Sequence, residues 1–193
     1  MKRLINKNSA KQVGIIYHYT RLIDIINILR TDKIDTHPVG GDFYDDEDKI
    51  FDKWAVSFTR NQNFHQITRP IGGTDCRITF DGNKLSENHK IEPLHDTHYF
   101  SDEDFGTEKM QQEEIVVCTG EAMSPIKPYI ISVDFDKTKL DSQEMYKKLI
   151  ILKIQKEFDS NFEFNIDDQS SDELANILKT YIEQEFSLNV NFF

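Results

Sequence analysis

The chain predicts an α+β fold, and three observations carry that expectation. Runs rich in β-branched and aromatic residues recur between residues 13 and 135. One amphipathic helical stretch, Leu22 to Leu29, follows the first of them, and the last third of the chain returns to helical spacing. A sheet system that opens with one helix and is closed by others belongs to the α+β class.

Val13-Gly14-Ile15-Ile16-Tyr17-His18 reads as a buried strand. Thr20 is the expected N-cap of the helix behind it, with Asp24 in the first turn. Leu22, Ile25, Ile26 and Leu29 recur on one helical face, and Thr31-Asp32-Lys33 ends it. Asp35 to Lys53 reads as a loop with Gly40-Gly41 and the acidic run Asp45-Asp46-Glu47-Asp48, a solvated face that lacks the spacing of a calcium loop. Trp54 to Thr59 is the second strand, and Arg60-Asn61-Gln62-Asn63 leaves it in a turn. A turn at Pro70 to Gly73, a strand at Cys76 to Phe80 and a turn at Asp81-Gly82-Asn83 follow. Lys84 to Asp104 is polar and without period. Glu114 to Val117 and Tyr129 to Phe135 are the last two expected strands, and Ser142 to Phe158 and Ser171 to Phe186 are helices.

At 193 residues the chain suits one domain, with a core over 13–135 and a helical extension over 141–193. Hydrophobic residues make up 38% and charged residues 30%, a globular composition rather than a disordered one. Asp and Glu outnumber Lys and Arg by 34 to 23, so the net charge is −11. That balance argues against unaided binding to duplex nucleic acid, which needs a cationic surface. Cys76 and Cys118 are too few for a disulfide framework or a zinc site, and reduced thiols are expected. Leu22 to Leu29 is interrupted by Asp24 and Asn27 and is too short to span a bilayer. The polar, basic Met1 to Gln12 does not read as a signal peptide. A cytoplasmic protein without a membrane partner is the expectation.

Several chemistries find no support in the residues. The Gly pairs at 40–41 and 72–73 are not followed by Lys-Ser/Thr, and no Gly-x-Ser-x-Gly elbow is present. His95 and His98 flank Asp96 without the usual spacing of metal ligands, so no metal is assigned. Three short segments stand out instead: Tyr17-His18-Tyr19-Thr20, Ser57-Phe58-Thr59-Arg60, and Gln111-Gln112-Glu113-Glu114 leading into Ile115-Val116-Val117. A carboxylate at the mouth of an apolar strand costs burial energy unless it is paired or used.

In this order the segments resemble the ADP-ribosyltransferase superfamily, in particular its short bacterial and phage members. The resemblance spans roughly residues 13 to 135. It implies a split β-sheet core, NAD as substrate, and a role in conflict between phage and host. It also implies that Glu114 or Glu113 is catalytic with Gln112 touching the acceptor, and that His18, Tyr19, Thr20, Ser57, Thr59 and Arg60 hold the dinucleotide. Tyr19 or Phe64 would stack on the nicotinamide. Phe58 departs from the small central residue of the family's second strand, and either Gln111-x-Glu113 or Gln112-x-Glu114 fits the third motif. The acceptor implied is a macromolecule, and the net acidity favours protein over nucleic acid. A different class is also open: a catalytically silent acidic protein that occupies a basic partner through Asp42 to Asp52 and Asp159 to Asp168. A phosphotransferase or glycohydrolase on the same scaffold is less attractive, because only Arg21 and Arg60 lie near the motifs.

Overall fold

The computed structural model describes residues 14–39, 53–63, 75–93, 113–137, 150–162 and 170–193. They form a mixed α+β fold whose contacts gather into two units, each assembled from separated stretches of chain. The described part of the first unit is 14–18, 33–39, 53–63, 80–93 and 113–129; the second takes 19–32, 75–79, 130–137, 150–162 and 170–193.

The chain enters strand β1 (Ile15–Thr20) through Gly14. Gly14 has a φ of 152°, where L side chains are strained, and its carbonyl accepts a 2.7 Å hydrogen bond from the Gly82 amide. The first unit is built on strands β4 (Lys53–Thr59) and β7 (Glu113–Cys118), antiparallel over their whole length from Trp54↔Cys118 to Thr59↔Glu113. β1 pairs with β4 through Tyr17↔Thr59, β3 (His37–Val39) lies against β4, and β6 (Lys90–Pro93) lies against β7. All of these pairs are antiparallel. β2 (Ile34–Asp35) and β8 (Ala122–Met123) make a separate small ladder. Ala55, Val56, Phe58, Phe80 and Val116 are buried in this unit, and Phe58 meets Phe80 edge-on at 5.2 Å.

The second unit holds α1 (Leu22–Thr31), a π-type helical turn Ile154–Phe158, strand β9 (Ile130–Phe135), α3 (Ser171–Phe186) and strand β10 (Asn189–Phe192). α2 (Gly82–Ser86) belongs to the first unit, and β5 (Cys76–Asp81) passes from the second to the first after Thr79. The expected apolar face of α1 is buried at Leu22, Ile25, Ile26 and Leu29, each side chain contributing about 1.5–3 kcal/mol. α3 buries Leu174, Leu178, Tyr181 and Ile182 and starts on a reciprocal capping box between Ser170 and Glu173. Arg30 ties α1 to α3: its Nη2 donates to the Tyr181 hydroxyl at 2.8 Å and pairs with Glu185 at 3.3 Å. The same guanidinium lies 5.9 and 5.8 Å from the Phe158 and Phe186 rings.

Four local expectations are corrected. Thr20 is a buried strand residue rather than the α1 N-cap; Arg21 takes that position with no capping side chain and instead pairs with Asp24 at 2.6 Å. The segment after α1 contains β2 and β3 before the described residues stop at 39. Asp81-Gly82-Asn83 does not merely turn: the Asp81 carboxylate accepts from the Lys84 amide at 3.1 Å and starts α2. The C-terminal third is not wholly helical, because β10 returns as a strand parallel to β9, from Asn189↔Ser132 to Phe192↔Phe135. The acidic run 45–48 and residues 142–149 of the expected helix lie outside the described residues. No helix among the described residues is long and apolar enough to cross a membrane.

Candidate functional site

The first unit brings His18, Ser57 and a residue the sequence did not single out, His37, into one hydrogen-bonded chain. β7 runs along one edge of β4, and β1 and β3 share the other, β1 at Thr59 and β3 at residues 53–55, so Ser57 lies between the two. His18 Nδ1 lies 3.0 Å from the Ser57 carbonyl oxygen. A carbonyl can only accept, so Nδ1 carries the proton and the neutral ring keeps its lone pair on Nε2. From β3, His37 Nε2 lies 3.1 Å from the Ser57 hydroxyl. His18 also packs against Phe58, ring centroids 5.6 Å apart and tilted by 55°.

Burial is the main influence on the His18 imidazole and lowers its pKa; the hydrogen bond to Ser57 opposes this and His37 adds to it. The sign follows directly. The unfolded chain binds a proton on His18 near pH 6.5 and the folded chain only at lower pH, so the unfolded state holds more protons between the two values. Compared with a His18→Gln variant, the wild type should lose stability as pH falls below 6.5, with no further relative loss below the folded pKa. Urea denaturation of both proteins at matched pH measures this. Parallel pH profiles would show that burial of the neutral ring has no such consequence.

The expected glutamates enter through backbone register. Glu113 stands opposite Thr59 and Glu114 opposite Phe58, while Pro93 flanks Glu114 from β6. Tyr17, Thr59 and Glu113 therefore form one row across β1, β4 and β7. Neighbouring strands are about 4.8 Å apart, so β1 and β7 lie roughly 10 Å from each other across β4. Thr59 is buried and its hydroxyl accepts from the Asn61 amide at 3.1 Å, shaping the turn that carries half-buried Arg60. Asn61 repeats the device, its side chain accepting from the Asn63 amide at 2.9 Å. Gln111, Gln112, Phe64, His95 and His98 lie outside the described residues.

Tyr19 and Thr20 belong to the second unit, where Tyr19 hydrogen-bonds to Arg77. There the polar centre is Asp134, only 3% exposed. Its Oδ2 accepts from Arg77 Nε and Nη2, both at 2.9 Å, and from the Thr79 hydroxyl at 3.1 Å. Its Oδ1 accepts from the Ser132 hydroxyl at 3.2 Å and from Asn191 Nδ2 at 2.8 Å. The Arg77 guanidinium lies over the Phe193 ring at 4.8 Å. Burial alone would lower the Arg77 pKa; the bonds to Tyr19 and Asp134 outweigh it and raise the value. With every lone pair engaged, this network reads as a structural tie among β5, β9 and β10.

Cys76 and Cys118 are free thiols, and burial raises the pKa of both, so neither is tuned as a nucleophile. Among the described residues no group of three or more His, Cys, Asp or Glu side chains is placed to hold a metal ion. Comparison with protein-family models, with curated proteins and with solved structures finds no match.

His37 escaped the sequence reading because it sits in a polar stretch. One signal was available: Pro38 disfavours helix at the preceding residue and pushes it towards extended backbone. Asp134 escaped because a lone acid in an alternating strand looks solvent-facing until a buried Arg is known to stand beside it.

Proposed function

We propose that this chain is an NAD-dependent mono-ADP-ribosyltransferase-like enzyme that modifies a macromolecule, with a protein acceptor favoured. One observation carries the reading. The His-bearing, Ser-x-Thr-bearing and Glu-bearing strands are consecutive neighbours in one unit, with Tyr17, Thr59 and Glu113 in register. Segments about forty and fifty residues apart in sequence meet within two strand spacings.

The chemistry suits those residues. Breaking the nicotinamide–ribose bond passes through an oxocarbenium-like state, which a fixed carboxylate from Glu114 or Glu113 would stabilise. The same carboxylate could hold a ribose hydroxyl and help to deprotonate the acceptor. His18, kept neutral by burial and with Nδ1 committed to the Ser57 carbonyl, would offer Nε2 as an acceptor for a hydroxyl of the adenosine ribose. Ser57 and Thr59 would supply hydroxyls from the middle strand, and Arg60, next in sequence, would supply a cation for the diphosphate. A split-sheet core of the ADP-ribosyltransferase type is the fold that this arrangement supports.

The test uses NAD labelled in its adenylate half, the intact protein and a cell lysate. Free nicotinamide together with label on a macromolecule is the expected result. Nicotinamide without transferred label would indicate a glycohydrolase. Neither product, with retention of a basic protein from the lysate that salt releases, would replace the enzyme by the acidic binder.

A further inference from the structure

The hydroxyl of Ser57 is held by a residue that none of the three motifs contains, and this assigns His37 a function. We propose that His37 is a positioning residue for the dinucleotide: it fixes the rotamer of Ser57 so that the hydroxyl meets a ribose hydroxyl of NAD in a set direction. The inference rests on the transferase reading and adds to it a residue from β3.

A serine hydroxyl rotates freely among three staggered positions and can donate one hydrogen bond while accepting two. An exposed serine on a strand would ordinarily sample these in water. Here the Ser57 hydroxyl has a partner at 3.1 Å, on a strand whose register is set by three consecutive pairs, His37↔Ala55 to Val39↔Lys53. His37 is two residues along β4 from Ser57 in that register, the diagonal relation from which a long side chain reaches across. The backbone of the same serine is held from β1, which shares this edge of β4 with β3, where His18 donates to its carbonyl. Both groups of Ser57 are thus fixed, by two histidines from two different strands. His37 itself is exposed, so the pair contributes little to the core. What it does define is the direction in which the remaining hydrogen-bonding capacity of the hydroxyl points. For a ligand built on two riboses, that direction is a selective feature.

The experiment measures NAD affinity by calorimetry, and nicotinamide release, for the wild type, His37→Ala, His37→Gln, Ser57→Ala and the double variant His37→Ala/Ser57→Ala. His37→Ala is expected to weaken NAD by about fivefold to tenfold, the worth of one oriented hydrogen bond. Ser57→Ala should do the same, and the double variant should be no weaker than either single one. His37→Gln places an amide nitrogen near the position of Nε2 and should recover most of the affinity. Melting temperatures should stay close to the wild type, because His37 is exposed. Three results would overturn the proposal. If Ser57→Ala weakens NAD while His37→Ala does not, His37 has no positioning role and the transferase reading survives. If the two single effects add in the double variant, the residues act separately. If the wild type neither binds nor cleaves NAD, the transferase reading fails and the proposal fails with it.

Discussion

Glu114→Gln is expected to lower NAD turnover by about a hundredfold or more while leaving the fold intact, because Gln keeps the size and hydrogen bonding of Glu but removes its charge. An oxocarbenium-like state develops positive charge on the ribose, and a neutral amide cannot offset it. Glu113→Gln is the internal control. Glu114 shares its register row with Phe58 and Glu113 with Thr59, so the pair of variants also decides which row carries the chemistry. Nicotinamide release at saturating NAD, with circular dichroism as the folding check, measures both. A dead Glu113→Gln beside an active Glu114→Gln would move the catalytic position by one residue. Two fully active variants would remove the carboxylate from the chemistry.

Asp134→Ala should be the most destabilising single change in the second unit. Four side chains donate to this one carboxylate, and its removal leaves the Arg77 guanidinium buried without its counter-charge. Breaking one half of a buried pair costs about 3–5 kcal/mol, a large share of the roughly 5–15 kcal/mol that holds a domain folded. Asn191 would lose its partner as well, loosening β10 from β9. Urea denaturation followed by fluorescence should show a much lower midpoint, or no cooperative transition. The pairing argument predicts in addition that Arg77→Met/Asp134→Leu is milder than Asp134→Ala, since no charge is then stranded. A loss below about 1 kcal/mol for Asp134→Ala would mean that water replaces the carboxylate at little cost.

The residues that disclosed themselves in the sequence are those whose role is set locally. Leu22, Ile25, Ile26 and Leu29 declare a helix face by spacing alone, and the expected helix Ser171 to Phe186 matches α3. Trp54 to Thr59 and Ile130 to Phe135 are long and apolar enough to read as strands without knowing their partners. The short strands are different. Lys90-Ile91-Glu92-Pro93 and Asn189-Val190-Asn191-Phe192 have little strand propensity, and they are extended because β7 and β9 offer them a ladder. Thr20 shows the same competition at one residue: a good capping side chain was outweighed by burial in β1. For the candidate site, His18, Ser57 and the two glutamates were visible as residue types in strand-end context. Their registration, and the part played by His37, depend on pairings between strands that no local pattern encodes.

The interleaving of the two units has a kinetic consequence. The bond from Arg30 to Tyr181 joins residues 151 apart, and the Arg77–Asp134 tie closes a span of 57. Contacts this distant are formed only after the intervening chain has surrendered its freedom, so they reward folding late rather than early. Each unit is assembled from separated stretches of the chain. The chain should therefore fold slowly for its size, with the parallel β9–β10 pair among the last elements to be secured.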